Sequence, residues 1–305
     1  MANTREIRRR IKSVKNTQQI TRALQTVSAS KMGKAQAAAR AGRDYSSLLT
    51  RVLVSLRERV DRDSHPLLEE KPLQTELVIL ISTDKGLCGA LNTNLFREVS
   101  NNDHDRKAGY VATGRKGVQY LARTKRNLLA DYPTKDAPSL SETWQISAMA
   151  LEKFLSGEVQ KVSVAYSRFV NTLNQKPVLQ TLLPISPAEL PGGKDAAADA
   201  AEDTTRRDIP KGSAADPENK FGYLFVPGPR EVLDAVLPEF VHFQVYQMVL
   251  NSRASEHSAR MVAMKNATDN AKSLIKDLTL EYNKVRQAGI TTELLEITTA
   301  QMAMG

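Results

Sequence analysis

The sequence predicts an α/β protein of two parts: a long antiparallel coiled coil of N- and C-terminal helices, and a small Rossmann-like α/β domain between them. Three observations carry this. The stretch from Asn3 to Arg62 has no proline and only two glycines, Gly33 and Gly42. After Pro238 there is no further proline, and Gly289 is the only glycine before the final residue. Between these ends, short apolar runs alternate with amphipathic ones.

The N-terminal helix, residues 1–62, is rich in Ala, Lys, Arg, Gln and Leu, all good helix formers. The run "DRDSHP" supplies turn formers and then Pro66, which stops it. At 1.5 Å per residue it would extend roughly 90 Å, more than a globular domain needs. Ile7, Ile11 and Val14 form one apolar stripe. Ile20, Leu24 and Val27 form a second, continued by Tyr45, Leu49, Val52 and Leu56. The stripes point in different directions at ~100° per residue, so different stretches should press on different neighbours.

Residues 63–228 read as the α/β domain. "ELVILIS" and "AGYVATG" have the character of buried strands, each followed by a helical pattern, "NLFREVS" and "KGVQYLARTK". A helix around "SAMALEKFLS" precedes the strand-like "KVSVAYSRF" and "KPVLQTLLPI", giving a largely parallel sheet. Residues 187–220 hold almost no large apolar side chain and read as a mobile, low-complexity insertion.

In the C-terminal helix, residues 229–305, Arg230 to Leu237 lead in and Pro238 is expected to interrupt or kink the helix. Val241, Val245 and Met248, then Leu274, Leu278, Tyr282 and Val285, recur at heptad-like spacing. Two helices with narrow apolar seams bury those seams most economically on each other, antiparallel because the middle joins them. The seam has a weak centre: Ser28, Lys31, Gly33, Lys34 and Ala35 on one side, Ser252, Ser255, Ser258 and Asn266 on the other. Such a rod implies a sleeve.

Lys and Arg number 43 against 34 Asp and Glu, a net charge of +9 that suits an anionic or acidic partner. Cys88 is the only cysteine, which rules out an internal disulfide, a cysteine zinc cluster and a dithiol switch. No apolar run nears the ~20 residues of a membrane span, and the start "MANTREIRRRIKSVK" lacks a signal peptide's apolar core, so a soluble protein is expected.

The segment "LVILISTDKGLCGALNTNLF" at 77–96 has the strand, glycine turn and helix order of many phosphate sites. A Walker loop also needs a lysine and hydroxyl after its glycines, and Gly86 and Gly89 are followed by "ALNTN" instead. Their spacing also fails the dinucleotide pattern. His65, His104, His242 and His257 have no metal-ligand spacing, and no nucleophile elbow appears. No catalytic, cofactor or metal residue is assigned. Arg5, Arg8, Arg9, Arg10, Lys12 and Lys15 could meet phosphates or acidic protein loops, but lack nearby aromatics to stack bases. A nucleotide-binding enzyme using the 77–96 turn and a basic coiled-coil nucleic-acid binder remain alternatives. The tail "ITTAQMAMG" carries no charged side chain, and an exposed apolar tip invites association.

Three blocks then carry a resemblance spanning nearly the whole chain. "IRRRIKSVKNTQQITRALQTVSASKM", "STDKGLCGALNTNLF" and "SEHSARMVAMKNATDNAKSLIKDLTLEYNKVRQAGITTELLEI" resemble the gamma subunits of F-type ATP synthases. The resemblance implies a non-catalytic rotary shaft inside a hexamer of alternating alpha and beta subunits, with no cofactor of its own. It also implies an epsilon subunit and a membrane ring of c subunits as partners, no nucleic acid, and only indirect membrane contact, at the cytoplasmic face of a bacterial plasma membrane.

By position, Arg286, Gln287 and Thr291 match residues that in the family catch a beta-subunit loop. Lys85 and Cys88 match the turn near the acidic lever of beta. Leu24, Ser30, Lys31 and Met32 match the coupling-sensitive stretch of the first helix, and Tyr223, Leu224 and Phe225 the segment facing the rotor ring. Ala300 and Gln301 stand where the family commonly has a Gly-Ala pair.

Overall fold

A computed structural model describes residues 4–42, 45, 48–49, 52–53, 65–69, 71–72, 74–102, 108–185 and 225–304. The insertion expected at 187–220 lies outside them, as do Leu56 and the rest of the first helix's expected end at 54–64. The chain divides into two contact units, one of residues 1–28 with 260–305, the other of residues 29–259.

In the larger unit, β1 (Glu76–Ile81), α2 (Leu91–Asn102), β2 (Gly109–Thr113), α3 (Arg115–Arg123), β3 (Asn127–Asp131), α4 (Leu140–Leu155), β4 (Lys161–Phe169) and β5 (Gln175–Leu183) follow one another. They are flanked in sequence by α1 (Thr4–Ala41) and α5 (Pro229–Met304). The strands form one sheet in the order β3-β2-β1-β4-β5. β1 pairs in parallel with β2 and β4, β2 in parallel with β3, and β5 closes the edge antiparallel to β4. Pro177 lies in this edge strand, where a missing N–H is tolerated.

The sequence reading did not include β3. Its burial alternates between exposed and half-buried, as for an edge strand, and no apolar run marks it.

Both faces of the central strands are covered. Leu77, Ile79 and Ile81 point into a core with Ile146, Ala150 and Phe154 of α4 and Leu237, Val241, Val245 and Met248 of α5. Val78 and Leu80 face Leu95 and Val99 of α2 and Tyr120 and Leu121 of α3. β1 is thus a continuous apolar run because neither face meets water. α5 begins with Pro229 at its first position, where the ring's fixed φ suits a helix start, and runs on through Pro238 without interruption.

The smaller unit is a helix pair, residues 4–28 of α1 against 260–304 of α5. The hydroxyls of Thr21 and Thr268 meet at 2.8 Å and fix its register. Counted outward from that point, an antiparallel pair sets Ile11 level with Leu278 and Ile7 with Tyr282. Burial agrees with this register. Ile7 is buried, and Ile11, Val14, Gln18, Thr21, Ile275, Leu278 and Tyr282 are half-buried.

The two stripes expected on α1 are corrected here. The first continues as a single heptad seam through Gln18, Thr21, Gln25 and buried Ser28, whereas Ile20 and Val27 are 60% and 51% exposed. A strict 3,4 spacing outlasts the apolar residues that began it, so the seam was hidden by its polar centre. On α5, Leu274 likewise points outward, and Ala271 and Ile275 take its place in the seam.

Candidate functional site

The polar stretch of α5 from Ser252 to Ser258 is buried, but its partners lie in the α/β unit. Ser255 donates to the carbonyl of Ser167 in β4 at 2.8 Å, and Ser258 to that of Thr172, just past β4, also at 2.8 Å. Ala254 packs with Phe169 and with Ala35 of α1. The part of the expected weak centre from Ser252 to Ser258 is therefore a surface cut to fit the sheet, whereas Asn266 is exposed. Small side chains let the helix approach strand ends closely.

Arg253 stands in the middle of this stretch and is only 2% exposed. Its Nη2 donates to the Thr134 carbonyl at 2.7 Å and to Thr134 Oγ1 at 2.5 Å, and lies 3.4 Å from Asp84 Oδ2. Its Nη1 donates to Glu256 Oε2 at 2.8 Å, an ion pair one helical turn away in which both side chains are buried. A buried guanidinium is tolerated only when its charge and donors are answered, as here. Asp84 is shared, because its Oδ1 accepts the backbone N–H of Arg115 at 3.1 Å, where α3 begins and backbone donors have no helical partner.

The loop after β3 also takes hold of α1. Lys31 Nζ donates to Asp136 Oδ2 at 2.5 Å. That bond holds the Asp136 carboxyl below its usual range against the opposing effect of burial, with Lys31, His257 and Arg253 adding positive potential. Asp84, Thr134 and Asp136, from loops at the C-terminal ends of β1 and β3, thus gather Lys31 from one long helix and Arg253 from the other.

In a sheet of this topology, ligands enter a crevice at the C-terminal ends of the strands, where the strand order reverses on either side of β1. Here Arg253, Ser255 and Ser258 bond the strand ends around that place themselves. The β1 turn is closed from within as well. Thr83 Oγ1 donates to the Lys85 carbonyl at 2.8 Å and accepts from Asn92 Nδ2 at 2.8 Å. Gly89 adopts φ +61°, a left-handed conformation that favours glycine. Leu87 shares that conformation at φ 63°, and its side chain is 65% exposed.

The residues matched by resemblance fall in separate places. Lys85 is exposed on the β1 turn, next to Asp84, while Cys88 is 3% exposed and takes a 3.5 Å contact from Asn92. Lys31 joins the charged cluster, and Ser30 is exposed beside it. Leu24 and Met32 are half-buried. Phe225 packs half-buried against the core, and Tyr223 and Leu224 lie outside the described residues. Arg286, Gln287 and Thr291 are exposed on one stretch of α5, with Thr291 Oγ1 donating to the Gln287 carbonyl at 3.0 Å. From Arg286 to Ala303 every described side chain of α5 is exposed.

Sequence reasoning missed Asp84, Thr134, Arg253 and Glu256. One signal was present: in "SRASEHS" an arginine sits among small residues with a glutamate three places on, the pattern of a buried pair on one helix face.

A family model described as ATP synthase matches residues 3–304. The ATP synthase gamma chain of Opitutus terrae is 48% identical over 303 residues, covering 99% of each chain. That of Methylacidiphilum infernorum is 48% identical over 312 residues and covers 100% of both. That of Akkermansia muciniphila is 45% identical over 304 residues, again covering 100% of both. Among solved structures, the rotor of the Euglena gracilis mitochondrial ATP synthase in rotational state 1 superposes with a TM-score of 0.63 at 22% identity, covering 94% of this chain and 98% of that one. The same fold, the full-length match and these identities place the chain together with its relatives: it belongs to the ATP synthase gamma chain family.

Proposed function

We propose that the chain turns as the central shaft of a rotary ATP synthase, carrying twist between a membrane rotor and catalytic sites on other subunits. It performs no chemistry itself. Its partners are the alpha and beta subunits around the helix pair, an epsilon subunit, and a membrane ring of c subunits on the side of the α/β unit. The assembly sits on the cytoplasmic face of a bacterial plasma membrane, with this subunit soluble and peripheral.

The observation that carries this reading is the end of α5. Among the described residues, 286–303 are all exposed, and no side chain there after Glu296 is charged. A helix end of roughly 27 Å held out in this way needs a socket from elsewhere. Because it turns there, a charged contact would cost several kcal/mol to break at each step, whereas an uncharged surface slides between equivalent positions. Arg286, Gln287 and Thr291, at the base of this end, form the catch for a beta-subunit loop. Lys85, with Leu87 beside it, meets the acidic lever of beta, and Cys88 supports the turn from inside. Leu24, Ser30, Lys31 and Met32 couple the first helix to the same motion, and Tyr223, Leu224 and Phe225 belong to the segment toward the rotor ring.

The test is reconstitution. Adding the chain to purified alpha and beta subunits assembles a complex with raised ATP hydrolysis, and calorimetry on the chain alone finds no ATP binding. Absence of assembly, or micromolar ATP affinity in the isolated chain, would overturn the reading.

A further inference from the structure

We infer that Arg253 is a positioning residue for coupling, the pin that stops α5 from turning about its own axis against the sheet. This rests on the rotary reading above. Within the larger unit, α5 meets the α/β layers through two kinds of contact. Leu233, Leu237, Val241, Val245 and Met248 contribute apolar burial, which is strong but has no preferred direction. The contacts of Arg253 are directional. A planar guanidinium with a fixed fork of donors reaches Thr134 and Asp84 across the gap while Glu256 holds it from its own helix.

Those two loops are themselves anchored. Asp84 is tied to the start of α3 through Arg115, and the Thr134 loop is tied to α1 through Asp136 and Lys31. A small rotation of α5 therefore breaks several charge-assisted bonds at once, around a guanidinium that is itself buried. Lys31 and Asp136 are about half exposed and resist less, because solvent screens their pairing. Ser255 and Ser258 add two neutral bonds to carbonyls at the β4 end, in line with the same grip. Twist applied to α5 thus enters the sheet at one cluster, and Arg253 is its centre.

The experiment uses the complete ATP synthase complex in sealed vesicles, measuring ATP hydrolysis and ATP-driven uptake of protons and of sodium ions on the same sample. In Arg253→Met the ions moved per ATP cleaved fall by ~2- to 30-fold, the range of coupling changes caused by residues within such networks. A wild-type ratio in an assembled Arg253→Met complex would overturn the pin. If that variant does not assemble, Arg253→Lys and Thr134→Val carry the test. Both keep the charges balanced and both lower the ratio, and a wild-type ratio in the two of them overturns the inference. A role in folding alone would reduce the yield of complex and leave the ratio unchanged. A wild-type complex that cleaves ATP while moving neither protons nor sodium ions would instead refute the rotary reading.

Discussion

Thr21 and Thr268 face each other across the helix pair with their hydroxyl oxygens 2.8 Å apart, and each oxygen also lies within hydrogen-bond reach of a carbonyl of its own helix, Gln18's or Met264's, so the hydroxyl that donates across the pair gives up its intrahelical bond. Only one of the two can supply the proton between them. Changing Thr21→Val alone removes that bond and costs about 1 kcal/mol. The double change Thr21→Val with Thr268→Val costs no more than the single, because two apolar groups replace a matched polar pair. Urea unfolding of the isolated chain measures both, and strictly additive losses would contradict the pairing.

Two glycines should respond in opposite ways to alanine. Gly33 lies inside α1 with open space where a Cβ would project, nothing standing within 4 Å of that position. Gly33→Ala therefore stabilises the isolated chain by about 0.5–1 kcal/mol through a less flexible unfolded state. Gly114 has φ +90° where the chain enters α3, and a Cβ there would overlap the Ser82 carbonyl. Gly114→Ala accordingly destabilises by more than about 1 kcal/mol. Thermal unfolding of both variants decides the pair.

The chain should lose stability as pH falls below neutrality. His242 is stacked on Trp144 and bonded to Ser147, and burial lowers its pKa below the ordinary 6.5, with Glu239 opposing. His65 is lowered too, first by burial and then by Arg230, against the pull of Asp234. With both values depressed, the unfolded chain binds protons that the folded chain refuses, so stability is complete above 6.5 and declines as pH drops toward the folded values. Asp136, depressed chiefly by Lys31, adds a further loss only as pH falls below its ordinary 3.8. Denaturant midpoints measured from pH 8 to pH 5 should fall, and His242→Phe should flatten the slope.

Arg286→Ala should leave folding untouched, within about 0.5 kcal/mol, because the side chain is exposed on the helix. Its effect belongs to the complex. Weaker assembly or reduced ATP-driven proton pumping is expected, and unchanged pumping would remove Arg286 from the catch.

In the isolated chain, the amides of 286–303 should exchange hydrogen fast, since a helix without tertiary packing holds little stability. Within the assembled complex the same amides should be protected. Equal exchange in the two states would mean that the socket does not exist.

Much of the molecule was legible because long elements advertise themselves. Two stretches almost free of proline and glycine announced the helices, and the doubly buried β1 announced a parallel sheet. What escaped notice was set by tertiary contact. β3 has an edge strand's mixed pattern, and the α1 seam passes through Gln18, Thr21 and Ser28, whose hydrogen-bonding side chains look like surface residues when read singly. Arg253 escaped for the same reason, since its partners Asp84 and Thr134 are far away in sequence and only the fold brings them near.

The bare end of α5 has a consequence for how much of this protein a cell can keep. Among the described residues, Leu294, Leu295, Ile297 and Met302 are exposed along it. A copy made in excess of its partners would display this greasy, easily frayed end to chaperones and proteases, while a housed copy would not. The same residues that let the tip turn would then meter the supply, marking each surplus copy for removal.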